Sequence, residues 1–216
     1  MKVAQGSMSW ILSSFVAGII FMILTYIFNW PMPGVIFLFL TIVILLKTGF
    51  LFLFFRDPER DIGTGIVACA DGRVREISNI KDNEVGDCVK FSTFMNLYNV
   101  HVNRIPLDGT IKNIVHKRGI HLPAFKKESE KNERVVITID TNIGTIKVIQ
   151  IAGTLARRIV TYIKNGDKLK KGERIGIIRF GSRVDVYLPT KKVNKIHVKV
   201  GSMVKAGETT LAEIND

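Results

Sequence analysis

Two stretches near the C-terminal end share one pattern: Gly166-Asp-Lys-Leu-Lys-Lys-Gly-Glu-Arg-Ile-Gly-Ile-Ile178 and Gly201-Ser-Met-Val-Lys-Ala-Gly-Glu-Thr-Thr-Leu-Ala-Glu213. Their first glycines lie 35 residues apart, and so do their second glycines, Gly172 and Gly207. A fixed period of this size is typical of a duplicated supersecondary unit. Each copy predicts a glycine turn, a short apolar stretch, a second glycine turn and a strand.

Paired half-repeats of this kind resemble the lipoyl/biotinyl hammerhead fold, in which the hairpin tip between the halves carries the cofactor-bearing lysine. Here the connection carries Gly181-Ser182. Serine cannot take a lipoyl or biotinyl amide. Its hydroxyl can instead attack the carbonyl of the preceding residue, because glycine presents no side chain to block the approach. The resulting ester can eliminate to dehydroalanine, which hydrolyses to a pyruvoyl group.

Six ordered blocks resemble the short phosphatidylserine decarboxylases, the proenzyme type found in archaea and some bacteria. They are Phe55-Arg-Asp-Pro-Glu-Arg60, Ala70-Asp-Gly-Arg-Val74, Val100-His-Val-Asn-Arg-Ile-Pro106, Asn132-Glu-Arg134, Leu155-Ala-Arg-Arg-Ile-Val160 and Phe180-Gly-Ser-Arg-Val-Asp-Val-Tyr-Leu-Pro189. The resemblance implies a lyase that converts phosphatidylserine or archaetidylserine to the ethanolamine lipid and CO2. It also implies self-cleavage between Gly181 and Ser182 and a covalent pyruvoyl cofactor derived from Ser182.

The family uses a Ser-His-Asp set that resembles the hydrolase triad, in which the acid orients the imidazole. Ser182, His101 and Asp71 match its three members in this sequence. Longer relatives carry two histidines in the third block, whereas this chain has one, with Arg104 in the other place. His101 is therefore expected either as the base or as a substrate ligand, and Arg104 as a substrate-binding residue.

Alternatives to two of these residues stay open. Ser202 also follows a glycine, and Asp108 opens a segment similar to the one that follows Asp71, at a spacing of 37 residues. Adjacent residues in a strand point to opposite faces, so one of Arg157 and Arg158 is expected to hold the lipid phosphate through two parallel hydrogen bonds.

Residues 1–55 contain no Asp or Glu and only two cations, Lys2 and Lys47. Apolar runs fill residues 10–30 and 35–55, separated by Pro31-Met-Pro-Gly34, and each is long enough to cross a bilayer core of about 30 Å. The sequence therefore predicts a membrane anchor made of a helical hairpin. A charge such as Lys47 near mid-bilayer costs on the order of 2.5–3.5 kcal/mol, so a tilted, re-entrant or interfacial second segment is the alternative to a full span.

The cations predict the orientation of this anchor. Lys2 precedes the first run, and Arg56 and Arg60 follow the second. Positive residues favour the cytoplasmic side, so both ends of the hairpin are expected there. The predicted location is the cell membrane, with residues 56–216 on its cytoplasmic face.

Residues 56–216 carry 29 of the 31 Lys and Arg and all 19 Asp and Glu. This excess suits an anionic partner. Anionic lipid is favoured over nucleic acid, because an anchor is adjacent and aromatic residues do not interleave with the basic ones.

Cys69 and Cys88 form no Cys-x-x-Cys motif, so we interpret them as core residues in a reducing compartment and predict no metal site.

The part after the anchor is rich in β-branched residues, which predicts one pyruvoyl-dependent decarboxylase domain over residues 56–216. Short runs bounded by Gly, Asn or Asp predict strands at Val67–Ala70, Val85–Phe91, Gly109–Ile114, Arg134–Asp140, Gly144–Ile151 and Ile159–Ile163. Ser92–Asn99 predicts a helical turn and Lys117–Glu133 a loop. The expected fold is mainly β, a barrel or sandwich with hammerhead half-repeats.

Two assemblies follow from this interpretation. The cleavage fragments, residues 1–181 and 182–216, are expected to stay together as a heterodimer, and a higher oligomer is left open.

The competing hypothesis is a non-catalytic, membrane-tethered hammerhead adaptor or carrier subunit. Such an adaptor needs no Gly-Ser between its half-repeats and no blocks around Asp71 and His101.

Overall fold

The structure is a computed structural model that describes residues 2–28, 31–120, 122, 131–154, 158–179 and 181–215. The chain divides into two compact units, Met1–Pro58 and Glu59–Asp216. The first unit is mostly helical and the second is built mostly from β-strands. The predicted fold class, mainly β after a helical hairpin, is confirmed.

The first unit is a pair of helices, α1 (Met8–Ile27) and α2 (Pro31–Phe54). They approach closely at Gly18, where a Cβ would lie 3.2 Å from Cδ2 of Leu45. The hydroxyls of Ser14 and Thr48 lie 2.8 Å apart between the two helices. Small residues and hydroxyl pairs of this kind hold helices together in a bilayer, where apolar burial adds little.

Both helices are long and apolar enough to cross a membrane, by length and composition alone. The second begins at Pro31, whereas the sequence predicted a break over Pro31–Gly34. Proline is tolerated in the first turn, where the backbone N–H groups lack helical partners. Lys47 is exposed and lies seven residues before the end of α2, or about 10 Å at 1.5 Å per residue. Such a long side chain can extend its charge toward the head-group layer.

Two short strands, β1 (Lys2–Val3) and β2 (Arg56–Asp57), pair at the open end of the helical hairpin. The pairing sets Lys2 opposite Asp57. The entrance and exit of the hairpin therefore lie side by side.

The second unit contains one large antiparallel sheet and two small ones. Its strands are β3 (Ile66–Val67), β4 (Gly72–Asp82), β5 (Gly86–Met95), β6 (Val102–Arg104), β7 (Gly109–Lys117), β8 (Arg134–Thr141), β9 (Gly144–Ala152), β10 (Ile159–Thr161), β11 (Lys168–Leu169), β12 (Arg174–Ile178), β13 (Ser182–Pro189), β14 (Val193–Ile196), β15 (Met203–Val204) and β16 (Thr210–Ile214). The large sheet has the order β11-β7-β8-β9-β13-β5-β4-β15 and curls into a half-barrel. The small sheets have the orders β10-β12-β6 and β14-β16-β3.

The core lies on one face of the large sheet. Val184, Val186 and Leu188 of β13 are buried there together with Ile175 and Leu211 from the two small sheets. Residues that alternate with them along β13 face the other way, as the pleat requires. We call the core side the inner face and the opposite side the outer face.

The two half-repeats fold alike. Gly166, Gly172, Gly201 and Gly207 all have positive φ, between 76° and 96°, a region that favours glycine. Each copy forms a two-residue strand, a glycine turn and a five-residue strand: β11 and β12 in the first, β15 and β16 in the second. The turn pattern predicted from the 35-residue period is confirmed.

Two local expectations were wrong. Ser182 does not sit at a hairpin tip, because β12 and β13 belong to different sheets and Ser182 is the first residue of β13. The segment from Ser92 to Met95 is not helical but extends β5, since Thr93 and Met95 are buried on the inner face. Only Asn96–Asn99 forms a turn.

Candidate active site

Ser182 is the first residue of β13, which lies between β9 and β5 in the large sheet. It pairs with Ala152 on β9 and with Met95 on β5. Its side chain is fully buried, and its Oγ forms no hydrogen bond with any residue that the structure describes. A buried hydroxyl left without a partner costs about 1–3 kcal/mol, so such a group marks a candidate reactive position.

Gly181 brings the chain into β13 with φ +67°. An added Cβ at this position would meet no atom within 4 Å, so the backbone angle rather than crowding favours glycine. The Gly181 carbonyl oxygen accepts a hydrogen bond of 2.9 Å from the Gly153 N–H, just beyond the end of β9. The peptide group between Gly181 and Ser182 is thus fixed at its carbonyl oxygen, just before the pairing of β13 begins.

His101 is fully buried immediately before β6. Its Nδ1 lies 2.9 Å from the carbonyl oxygen of Asn99. That oxygen can only accept a hydrogen bond, so the neutral imidazole carries its proton on Nδ1 and its lone pair on Nε2. The His101 carbonyl accepts a long hydrogen bond, 3.4 Å, from the N–H of Ile178. Its backbone is therefore tied to the segment that leads into Ser182.

A buried amide pair, Asn103 and Gln150, connects β6 with the large sheet. Gln150 Nε2 donates to Asn103 Oδ1 at 2.8 Å, and Asn103 Nδ2 lies 3.7 Å from the sulfur of Met95, the residue that pairs with Ser182. Within the described part of the chain, Gln150 Oε1 accepts no hydrogen bond. One of these buried amides therefore contacts Met95, the residue that pairs with Ser182. The other lies opposite Val184, two residues along β13 from Ser182.

Asp71 lies just before β4, at the same end of the large sheet as Ser182. Arg73 of β4 pairs with Phe94 of β5, and the next residue of β5, Met95, pairs with Ser182. Adjacent strands are about 4.8 Å apart, so Asp71 and Ser182 are separated by two strand spacings. The structure brings both residues, and the turn that leads to His101, to one end of the sheet.

The Asp71 carboxylate is held by contacts at both of its oxygens. Oδ1 accepts the N–H of Ala206 at 2.8 Å, and Oδ2 pairs with Nη2 of Arg60 at 2.8 Å. Both side chains are 10% exposed. Arg60 also pairs with Glu208 at 3.0 Å. The first and second sequence blocks thus meet in one ion-pair network.

The alternative residues stand in turns of the half-repeats. Ser202 Oγ accepts the N–H of Lys199 at 3.1 Å. Asp108 is exposed and accepts the N–H of Lys171 at 2.7 Å, and this bond lowers the pKa of its carboxyl. Asp108 also lines an open depression of about 740 Å³ whose lining includes Lys170 but neither Ser182 nor His101.

The three arginines predicted to bind substrate differ in their surroundings. Arg104 is buried and donates from Nη1 to the carbonyl of Gly172 at 2.8 Å, inside the first half-repeat turn. Arg158 is exposed, and its carbonyl accepts the N–H of Arg179 at 3.2 Å. Arg157 lies outside the described residues.

Asp185, which the sequence reading did not single out, lies on the outer face of the strand that begins with Ser182. Burial raises the pKa of its carboxyl, and Arg183, 2.9 Å away, opposes that rise. These two side chains alternate with the inner-face residues of β13, so they stabilise the strand from the side opposite the candidate nucleophile.

Cys69 and Cys88 are buried free thiols, and burial raises the pKa of both. Neither is poised as a thiolate nucleophile. In the described ranges, no three His, Cys, Asp or Glu side chains come together as a metal site.

Comparison with known proteins shows the family of this chain. The family profile for phosphatidylserine decarboxylase matches residues 48–212. The chain belongs to the phosphatidylserine decarboxylase family. All of the blocks from Ala70 to Pro189, and most of the half-repeat after them, lie inside the matched range.

Relatives in this family come from bacteria and archaea. The phosphatidylserine decarboxylase proenzyme of Streptomyces coelicolor is 51% identical over 159 residues, 73% of this chain and 70% of that protein. A protein of Methanosarcina acetivorans, provisionally named archaetidylserine decarboxylase proenzyme, is 42% identical over 218 residues, 99% of this chain and 98% of its own length. The second match includes the helical hairpin.

The ion pair at Asp71 yields a stability prediction. Removing one partner of a buried pair costs about 3–5 kcal/mol, because the other charge stays buried, so Arg60→Met should lower the free energy of unfolding by roughly that amount. Arg174→Met, which breaks a more exposed pair with Glu59 (31% and 62% exposed), is the matched control and should cost about 0–1 kcal/mol. Urea unfolding followed by circular dichroism measures both variants. Equal losses of unfolding free energy would contradict the conclusion that the pair of Arg60 with Asp71 is the more stabilising one.

Proposed function

We propose that this chain decarboxylates a serine phospholipid to the corresponding ethanolamine phospholipid and CO2, after cleaving itself between Gly181 and Ser182. The observation that carries the proposal is the buried Ser182 hydroxyl without a hydrogen-bond partner among the described residues, preceded by a glycine of positive φ. Membership in the decarboxylase family supports the reaction class. Relatives named for phosphatidylserine and for archaetidylserine share the serine head group, and that head group is the proposed substrate.

Self-cleavage begins at the Ser182 hydroxyl. Oγ adds to the carbonyl carbon of Gly181, its proton passes to Nε2 of His101, and the peptide nitrogen receives a proton as the C–N bond breaks. The product is an ester between Gly181 and the serine oxygen. The tautomer of His101 supports this role, because its lone pair is on the nitrogen opposite the Asn99 contact.

Elimination then separates the fragments. Loss of the Ser182 α-proton breaks the Cβ–Oγ bond, and Gly181 leaves as a carboxylate. The dehydroalanine left at position 182 reacts with one water and releases ammonia, which leaves a pyruvoyl group. Atoms balance without an oxidant or a metal ion.

The surroundings of Ser182 fit such a group. It forms from the serine itself, so no separate pocket is needed, and the position is buried and flanked by Met95 and Ala152. The pyruvoyl group supplies a carbonyl that takes up the electron pair left as CO2 departs. Asn103 and Gln150 provide polar groups in the same interior, and Nε2 of His101 is the candidate atom for returning a proton to the product. We retain Arg104, Arg157 and Arg158 as candidates for the lipid phosphate.

The strand order supports a stable two-fragment enzyme. Residues 182–216 contribute β13, which pairs along eight residues with β5 and six with β9. Its neighbours both belong to the larger fragment, so separation would require opening the centre of the sheet. We therefore propose that the fragments remain a heterodimer.

The helical hairpin supports action at the membrane. A lipid substrate stays in the bilayer, and a tethered enzyme meets it by diffusion in two dimensions. Cations at both ends of the hairpin favour the cytoplasmic side for residues 56–216.

Mass spectrometry tests the central proposal. Purified protein should contain a fragment of residues 182–216 that is lighter by one ammonia than its encoded sequence, because the serine nitrogen has been lost. Ser182→Ala should abolish both cleavage and decarboxylation, and Ser202→Ala should leave both unchanged. Active protein consisting of one uncleaved chain would refute the proposal.

The base assignment has its own test. A positioned base contributes about 10²–10⁴-fold, so His101→Ala should slow self-cleavage by a factor in that range. Asp71→Ala should slow it as well if Asp71 acts as the acid of the Ser-His-Asp set, and its rate is counted per folded molecule because the change also breaks the ion pair with Arg60. The controls are His197→Ala and Asp108→Ala, which change exposed or half-exposed side chains. Normal cleavage of His101→Ala with loss of lipid turnover would make His101 a substrate ligand instead.

Cysteine labelling tests the membrane topology. Met32→Cys, at an exposed position in the first turn of α2, should react with an impermeant maleimide added outside intact cells. Val200→Cys, exposed on the second unit, should react only after the cytoplasmic side is opened. Both native thiols are buried, so background labelling should be low. Labelling of position 32 only from the cytoplasmic side would exclude the two-span hairpin.

A further inference from the structure

The peptide group between Ala152 and Gly153 is held at both ends beside the cleavage site. Its carbonyl oxygen accepts a hydrogen bond of 2.7 Å from Nδ2 of Asn132. Its N–H donates to the carbonyl oxygen of Gly181 at 2.9 Å. This single peptide group therefore connects Asn132 with the carbonyl that Ser182 is proposed to attack.

Asn132 is well placed to fix this group. Its side chain is 1% exposed. Oδ1 accepts the N–H of Leu122 at 2.9 Å, and Nδ2 also donates to the carbonyl of Leu122 at 2.6 Å. The N–H of Ala152 donates to the carbonyl of Glu133 at 2.9 Å. Both sides of Ala152 are thus bonded to residues 132–133, a sequence block to which the reaction so far assigns no role.

The scissile peptide has a defined orientation between its neighbours. A trans peptide directs its C=O and N–H to opposite sides. The Gly181 carbonyl points to β9, so the Ser182 N–H points to β5, where Ser182 pairs with Met95. Attack on the carbonyl carbon would therefore place negative charge on an oxygen that already faces the Gly153 N–H.

We propose that the Gly153 N–H is the oxyanion donor of self-cleavage, and that Asn132 is a positioning residue that aims and polarises it. The inference rests on the proposed self-cleavage. As Oγ bonds to the Gly181 carbon, the carbonyl electron pair moves onto oxygen and the Gly153 hydrogen bond strengthens. When the C–N bond breaks, the carbonyl re-forms as the ester. Gly153 gives up no atom in either step.

Electrostatics favour this role. The site is buried, so a fixed donor acts in a medium of low dielectric and needs no reorganisation as charge develops. A hydrogen bond to a peptide carbonyl polarises the N–H of the same group, and Asn132 makes that bond. The N–H lies 2.9 Å from the ground-state carbonyl oxygen of Gly181, so little movement is needed to reach the distance of about 2.7–3.1 Å from the developing oxyanion that suits such a donor.

Replacing the Gly153 N–H tests the donor directly. Nonsense suppression with glycolic acid puts an ester oxygen in place of that N–H in the full-length chain. Loss of one oxyanion donor typically costs about 10²–10³ in rate, so appearance of the 182–216 fragment should slow by that factor. Gly153→Ala keeps the N–H and is the control for disturbance of the backbone.

A side-chain variant tests Asn132 independently. Asn132→Asp keeps the shape but removes the Nδ2 donor, and a lost bond of this kind should slow cleavage about 5- to 150-fold. Asn113→Asp, at an exposed position of β7, is the matched control and should cleave at the wild-type rate. Rates are counted per folded molecule, with Ser182→Ala forms of each variant used to measure melting. If the glycolic acid variant does not fold, the comparison of Asn132→Asp with Asn113→Asp tests the proposal alone.

Two further readouts separate catalysis from structure. Hydroxylamine cleaves an accumulated ester, so in the Asn132→Asp variant, which has no engineered ester, it should not restore cleavage at position 182 if ester formation itself is slow. The decarboxylation rate per cleaved molecule should stay within about twofold of the wild-type rate. The Gly153 N–H faces Gly181, which takes part only in self-cleavage. Wild-type cleavage rates in the glycolic acid variant, or parallel losses of cleavage and turnover, would overturn the inference. Failure of the unmodified protein to cleave would instead remove the proposed function.

Discussion

The position of β13 between β9 and β5 is the constraint on which the rest of the second unit depends. Pairing with both neighbours begins at Ser182 itself. It buries the serine hydroxyl on the inner face and aligns the preceding carbonyl with the Gly153 N–H. The same pairing makes β13, the first strand of the proposed smaller fragment, an interior strand of the sheet. A bond broken at the start of this strand leaves its ladder of hydrogen bonds intact.

The inner face combines a hydrophobic core with a few buried polar groups whose bonding is incomplete. Ser182 Oγ and Gln150 Oε1 accept no bond in the described part of the molecule. Each such atom costs about 1–3 kcal/mol, and the extensive apolar burial around β13 can offset this. The outer face is different, since charged side chains such as Arg183 and Asp185 pair there across short distances. One strand thus presents a candidate reaction site on one face and a structural ion pair on the other.

Local signals in the sequence predicted the local structure well. Gly166, Gly172, Gly201 and Gly207 have the positive φ angles that a repeated turn requires. The apolar runs became helices of spanning length, because twenty or more apolar residues with two cations leave few alternatives. Errors occurred where tertiary contacts override local preference: Ser92–Met95 extends a strand because the neighbouring strands pair with it, and Pro31 begins a helix because the first turn tolerates proline.

The sequence by itself determined the fold class, the repeat, the apolar hairpin and the family, because these depend on periodicity, composition and ordered motifs along the chain. It also singled out Ser182, His101 and Asp71 as candidates. Only the tertiary structure decided that Ser182 begins a central strand rather than a hairpin tip. It also revealed the roles open to Asn103, Gln150, Gly153 and Asn132. These residues carry no local signal, since an amide side chain or a backbone N–H becomes important only through the group that distant strand pairing places opposite it.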